Sequence, residues 1–235
     1  MKSKDPQPPH IGTLAEKSLH AALKQWYGRD GDQFEVKVDG RVIDIVRGGQ
    51  LIEVQTRHLY AMRQKLATLL PNHPVTIIHP IPQAKWIVRQ EADGTPISRR
   101  KSPKRGQFID IFRELARLTT WLSHPNLTIC VALTHEEEIW RNDGQGGWRR
   151  RGWSLADRLL LQVTDTLYLR TPDDYLQLLP DGLPVAFTNK ELAQAAGCRS
   201  ALAQQMSYTL RKMGLVTAVS KQGRALLLCI TKRNP

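Results

Sequence analysis

Apolar positions along the chain change period several times, and each change marks an element. Leu14, Leu19, Leu23 and Trp26 recur at helical spacing across 13–27 until Gly28 stops the run. Phe34, Val36 and Val38 then alternate with polar residues, which predicts a strand ended by Asp39-Gly40. The stretch 41–56, RVIDIVRGGQLIEVQT, reads as two strands joined by Gly48-Gly49, a dipeptide suited to a two-residue hairpin turn. Leu59, Met62, Leu66 and Leu69 predict a helix over 58–70 closed by Pro71, and 75–81 predicts a short apolar strand. Helix, three strands, helix, strand is the order of a compact α/β unit.

Beyond residue 81 the pattern predicts an extension. A hairpin over 85–100 turns at Asp93-Gly94, and a helix over 108–122 carries Ile109, Phe112, Leu115 and Leu122 on its apolar side. An apolar strand follows at 127–133, then a glycine-turned hairpin over 139–151 and a helical stretch over 155–163. Residues 171–184, rich in Pro and Asp, read as a linker. After it, Thr188 with Glu191 three residues later signals a capped helix, Gly197 turns the chain, and a second helix over 200–213 points Leu202, Met206, Leu210 and Met213 inward. Two strands flanking 220–224 complete a helix, turn, helix, hairpin order, the winged-helix pattern, over 185–235. The expected organisation is a leader at 1–10, a domain over 11–170 whose core is 12–81, the linker, and the winged helix.

Composition narrows the class. No apolar run approaches the roughly 20 residues a membrane span needs, and the N-terminal MKSKDPQPPH lacks the apolar stretch of a secretory signal. Cys130, Cys198 and Cys229 are isolated, which fits a reducing, cytoplasmic setting and argues against a zinc ribbon or a disulfide framework. The formal net charge of +12 points to a polyanionic partner, because the excess is clustered. Residues 83–105 hold seven Lys/Arg against two acids, WRRRGW follows a glycine-rich turn, and 182–235 hold eight basic residues and one acid.

The hairpin is where an acid pair interrupts apolar sequence. With a turn at Gly48-Gly49, Arg47 faces Gln50, Ile45 faces Ile52, and Asp44 faces Glu53. Ile43, Ile45, Ile52 and Val54 fill one side; Asp44, Glu53 and Gln55 share the other with Val42, Val46 and Leu51, so both faces are expected to be covered. Two opposed carboxylates repel, and protonation, a nearby cationic side chain or a divalent cation would relieve them. Mg²⁺ prefers such oxygen ligands and can offset charge on a phosphoryl group. An edge hairpin whose acids contact solvent or arginine is the alternative.

These elements resemble the PD-(D/E)xK nuclease superfamily, which includes many restriction enzymes and archaeal Holliday-junction resolvases. The resemblance covers about residues 12–81 and implies a restriction-endonuclease-like α-β-β-β-α-β core with a central mixed sheet. It implies a Mg²⁺- or Mn²⁺-dependent DNA endonuclease in which Asp44, Glu53 and the Val54 carbonyl hold the ion, and whose products carry 5′-phosphate and 3′-hydroxyl ends. Glu16 would orient the metal or its waters; equally, Glu16 fits a capping box with Thr13. Two positions depart from the family pattern. Ile43 stands where proline is common, and Gln55 stands where a lysine usually positions the attacking water. Glutamine can hydrogen-bond a water but brings no charge, so a catalytically inactive nuclease-fold DNA-binding or regulatory protein is the second reading.

Arg57, Arg63 and Lys65, beside His58 at the start of the following helix, are candidates for a scissile phosphate. Arg99, Arg100, Lys101, Lys104 and Arg105, and the run Arg149, Arg150 and Arg151, are candidate backbone contacts. Trp86, Trp140, Trp148 and Trp153 lie beside these clusters, either as core packing or as stacking platforms for unpaired bases. In the winged helix, Arg199, Gln204, Tyr208, Arg211 and Lys212 would face outward to read DNA, with Lys221 and Arg224 on phosphate. His20 reads as a surface or packing residue, and His135 with the three glutamates after it as a solvated strand end. RNA would satisfy the same chemistry as DNA. Nucleases of this fold are often homodimers, although the sequence names no interface.

Overall fold

A computed structural model describes residues 17–231. Glu16 and the Thr13 cap therefore lie outside the described residues. The chain is α/β with a mixed sheet. Seven strands run in the hydrogen-bonded order β1 (Gln33–Val38), β2 (Arg41–Arg47), β3 (Gln50–Val54), β4 (Val75–Glu91), β6 (Leu127–Gly146), β7 (Gly152–Leu169), with β5 (Pro96–Lys101) paired to β4. The described chain divides into two compact units.

One unit comprises 31–81, 107–132 and 166–235. In it β1, β2 and β3 pair antiparallel, whereas β3 and β4 pair parallel, Leu51 to Val75 through Val54 to Ile78. Parallel neighbours need a crossover, supplied by a 3₁₀ turn (Leu59–Met62) and helix α2 (Arg63–Leu69), whose Leu66 and Leu69 are buried. All of Leu51, Ile52, Glu53 and Val54 are buried, so β3 is covered on both faces as expected. The outer strand is not: Val42 is 58% exposed, and coverage on that face fails at β2. Arg47, at the hairpin end, forks onto Asp32 through Nε and Nη2 at 2.9 and 2.7 Å.

The helix expected over 108–122 is much shorter. A 3₁₀ turn (Phe108–Ile111) and one α turn, α3 (Phe112–Leu115), give way to successive turns, yet Phe112, Leu115, Leu118 and Leu122 are all buried. The apolar face survives although the helix ends at Leu115. The expected linker instead contains helix α4 (Pro172–Leu176), with Thr171 and Asp174 forming a capping box and Tyr175 buried. The chain then forms α5 (Asn189–Ala195), capped by Thr188 and Glu191, and α6 (Ser200–Lys212), which packs against α3. A small sheet closes the segment in the order β8 (Ala186–Phe187), β10 (Ala225–Ile230), β9 (Val216–Gln222).

The other unit comprises the described residues before 31 together with 82–106 and 133–165. It contains α1 (Lys17–Tyr27), with Leu19 and Leu23 buried, and the outer halves of three long strands. The stretch 155–163, expected as a helix, is strand: β7 runs unbroken from Gly152 to Leu169. LADRLLLQV suits either period, and pairing alongside the 20-residue β6 decides the outcome, tertiary context overriding local propensity.

Candidate functional site

Around the hairpin, the structure keeps the expected register only in part. Arg47 pairs with Gln50, Val46 with Leu51 and Ile45 with Ile52, and there the β2–β3 ladder ends. Asp44 does not complete a backbone pair with Glu53. Its Oδ2 instead accepts the Val54 N–H at 2.8 Å, a donor that the continuing ladder would have sent to a β2 carbonyl. On its other edge β3 pairs with β4 from Leu51 to Val54, and the Gln55 N–H also goes to that side, to the Ile78 carbonyl at 2.9 Å.

Helix α2 covers the gap. Lys65 Nζ lies 2.5 Å from Glu53 Oε1 and 2.5 Å from the Val42 carbonyl, bridging the two strands where their own ladder has stopped. The contact with Glu53 is an ion pair rather than an aligned hydrogen bond, and Oε1 has no hydrogen-bond partner of good geometry. Glu53 is 5% exposed. Burial pushes its carboxyl up from the ordinary 4.5 to about 7; Lys65 pulls it down, and the Asp44 charge pushes it up again. A buried carboxylate with poor hydrogen bonding, a second carboxylate and nearby backbone oxygens make a donor set of the kind hard cations take. Among the described residues, no group of three or more His, Cys, Asp or Glu is placed to hold a metal. Asp44 and Glu53 are two such carboxylates, brought together beside Val54.

Gln55 departs from its expected role. Its Nε2 donates to the Arg57 carbonyl at 2.5 Å, closing a local turn, while its own carbonyl meets Nδ1 of buried His79 at 2.7 Å. Lys65, expected on phosphate, is instead the cation beside Glu53. Its role was hidden because the reach of a helix over a strand depends on the crossover, not on spacing along the chain. Arg63, on the same helix, is exposed, and Arg57 is half-buried.

The basic clusters separate by strand parity. On β4 and β5, Trp86 pairs with Lys101 and Val88 with Arg99, whereas Ile87 pairs with Arg100. Arg99 and Lys101 therefore lie over the Trp86 ring, at 5.1 and 5.2 Å, and Arg100 faces the other way. There, Ile87, Arg89, Arg100, Trp140 and Trp153, with the run Arg149 to Arg151, line an open cleft of about 450 Å³. Arg89 was not singled out from the sequence, although its alternation with Ile87 was a usable signal. Trp148, 84% exposed, lies outside this lining. Lys104 and Arg105 are exposed.

The glutamates after His135 are not a solvated strand end. Glu136 is fully buried, accepting from Arg158 Nη2 at 2.8 Å and from the Thr134 hydroxyl at 2.7 Å. Glu137 pairs with Arg99 at 2.6 Å and Glu138 with Lys85 at 2.7 Å, while His135 packs edge-on against Trp86. The long β6 continues through them and brings each acid to a cation. On α6, Arg199, Gln204, Tyr208, Arg211 and Lys212 form an exposed face opposite buried Leu202, Met206 and Leu210, and Lys221 and Arg224 flank the exposed β9–β10 turn. Among the described residues no helix is long and apolar enough to cross a membrane.

Comparison with known proteins adds relatives without adding an activity. No solved structure matches the chain. A Treponema pallidum (strain Nichols) protein, named only "Uncharacterized protein", is 36% identical over 221 residues, covering 92% of this chain and 86% of its own length. At that coverage the alignment extends beyond residue 170 into the C-terminal helices. Residues 17–170 match the family described as "Domain of unknown function (DUF8091)", more than half of the chain, and the protein belongs to that family.

Proposed function

We propose that the protein is a metal-dependent endonuclease-like enzyme on a PD-(D/E)xK-type core, with a C-terminal winged helix that binds DNA. The observation that carries this reading is the meeting of Asp44, Glu53 and Lys65 where β2 and β3 part. Strand divergence frees side chains to serve a ligand, and an acid pair beside an ammonium group suits phosphodiester chemistry. Mg²⁺ or Mn²⁺, when bound, would lower the pKa of a coordinated water and offset charge on the phosphoryl oxygens. Asp44, Glu53 and the Val54 carbonyl would hold it. Lys65, paired with Glu53, would supply beside the phosphate the positive charge that Gln55 lacks. The exposed face of α6 and the β9–β10 turn would hold the nucleic acid by base-edge and phosphate contacts.

A second reading, a nuclease-fold DNA-binding or regulatory protein without activity, is favoured by one specific contact. The Gln55 amide is engaged with the Arg57 carbonyl. A cleavage assay separates the two. Duplex, single-stranded and branched DNA, together with RNA, are incubated with Mg²⁺ or Mn²⁺, and product ends are mapped. The expected result is cleavage leaving 5′-phosphates, lost in Asp44→Ala and Glu53→Ala. Retained binding without cleavage of any substrate would sink the enzymatic reading and leave the second.

A further inference from the structure

The cleft in the second unit holds five guanidinium groups and no acid. Among the described residues Arg89, Arg100, Arg149, Arg150 and Arg151 make no ion pair, whereas neighbouring Arg99, Lys85 and Arg158 are each neutralised by a glutamate of β6. Glu138, two residues before Trp140, accepts from the indole N–H of that tryptophan at 3.2 Å and is itself taken by Lys85 at 2.7 Å. Five like charges gathered in one opening repel one another, and an anion among them would relieve that repulsion.

Three of the guanidiniums already lie over indole rings. Arg150 lies over the Trp140 ring at 4.8 Å and Arg89 over the Trp153 ring at 5.0 Å, while Arg149 lies over exposed Trp148 at 5.4 Å. A guanidinium plane seated on an indole presents its other flat face outward, a surface on which a nucleobase stacks as readily as on an aromatic ring. Arg100 and Arg151, which lie over no ring, remain to fork onto phosphate oxygens. Flat stacking surfaces and uncompensated bidentate donors occur together in one opening of about 450 Å³, a volume suited to one or two nucleotides.

We propose that this cleft is a nucleotide-binding site, taking an unpaired base against the Trp140–Arg150 and Trp153–Arg89 stacks and its phosphates on the free arginines. The nucleotide comes either from an unpaired segment of a nucleic-acid strand or from a free nucleoside triphosphate. The site deepens the nucleic-acid reading by naming the form of substrate, and it does not depend on the acid pair being catalytic.

The test is therefore a binding measurement in EDTA, where failure of cleavage has no bearing. Fluorescence anisotropy with the full chain compares a labelled 15-mer oligothymidylate, a blunt duplex of equal charge, and ATP as competitor. The oligothymidylate should bind at least tenfold tighter than the duplex and quench tryptophan emission. Trp140→Leu should cost about tenfold, since stacking contributes on the order of 1–3 kcal/mol per base, and Trp140→Phe should restore most of it. The triple Arg149→Ala, Arg150→Ala, Arg151→Ala variant should lose at least tenfold, while Arg99→Ala with Lys101→Ala, on the opposite face, should leave the single-strand preference intact. Displacement by micromolar ATP assigns the site to free nucleotide; displacement only by longer strands assigns it to nucleic acid. Equal binding of duplex and single strand, or affinity indifferent to both tryptophan and arginine changes in variants with wild-type melting curves, overturns the proposal.

Discussion

The acid-bearing hairpin and the arginine cleft handle charge in opposite ways. At the hairpin, each charged group meets a partner within the chain: Asp44 takes a backbone N–H, and Glu53 takes Lys65. At the cleft, the cations stand together without an ion-pair partner among the described residues, and all five are exposed. Burial explains the contrast. A carboxylate 5% exposed must be paired or protonated to be tolerated, whereas exposed guanidiniums are hydrated and can remain unpaired until an anion arrives. One region stores its electrostatic tension inside the fold, as a carboxyl near neutrality with pKa about 7. The other displays it to a partner.

Several measurements would break or sharpen this contrast. The largest effect belongs to the acids. Asp44→Ala and Glu53→Ala should each lower metal-dependent cleavage by at least about a hundredfold, roughly 2.7 kcal/mol or more of transition-state stabilisation, while nucleic-acid affinity stays within about threefold. Product formation under single-turnover conditions reads the first and anisotropy the second; equal losses in both would merge the two regions into one binding surface.

Next comes the buried pair. Lys65→Met leaves Glu53 without its cation and should destabilise the protein by about 3 kcal/mol at pH 8, as breaking buried ion pairs does. At pH 5 Glu53 is already protonated, so the loss should shrink to a fraction of that. Urea unfolding at the two pH values measures it, and a pH-independent loss would assign Lys65 a packing role alone.

The wild-type protein should show the same titration from the other side. Because folding raises the Glu53 pKa, its contribution is fully present below the unfolded value of 4.5 and is lost as pH rises through about 7. The shift amounts to on the order of 3 kcal/mol across that window. Glu53→Gln should remove this component from the pH–stability curve, and added Mg²⁺ at pH 6.5 should release protons from wild type but not from the variant. A curve unchanged by the substitution would place the buried charge elsewhere.

The smallest effect concerns the C-terminal segment. Arg211→Ala with Lys212→Ala, both exposed on α6, should weaken duplex binding about three- to tenfold and lower the salt slope by about two, with an unchanged melting temperature. No change in the salt dependence would turn that helix face from nucleic acid toward a protein partner.

Much of the acid site was legible in sequence. Gly48-Gly49 fixed the turn, and the turn fixed Arg47 against Gln50 and Ile45 against Ile52. Two features were not legible. The β2–β3 ladder stops where the Asp44 side chain takes the Val54 N–H, and the arrival of Lys65 depends on the crossover over residues 55–74. The long strands were concealed for a different reason. Residues 155–163 carry apolar positions compatible with either period, and only the neighbouring β6 makes them strand. Of the apolar positions expected on that helix, Phe112, Leu115 and Leu122 are buried and Ile109 is half-buried, while the helix meant to carry them ends at Leu115, since burial needs only direction and a helix needs uninterrupted propensity.

The parity of β5 has a consequence for how such sequences diverge. Arg99 and Lys101 point to Trp86 and Arg100 to the cleft solely because they occupy odd and even places on one strand. Gain or loss of a single residue within Pro96–Lys101 would exchange the two sets, sending Arg100 onto the indole and its neighbours into the opening. Length changes inside this strand should therefore survive among relatives in twos, and a lone insertion should be accompanied by a new arginine one place along.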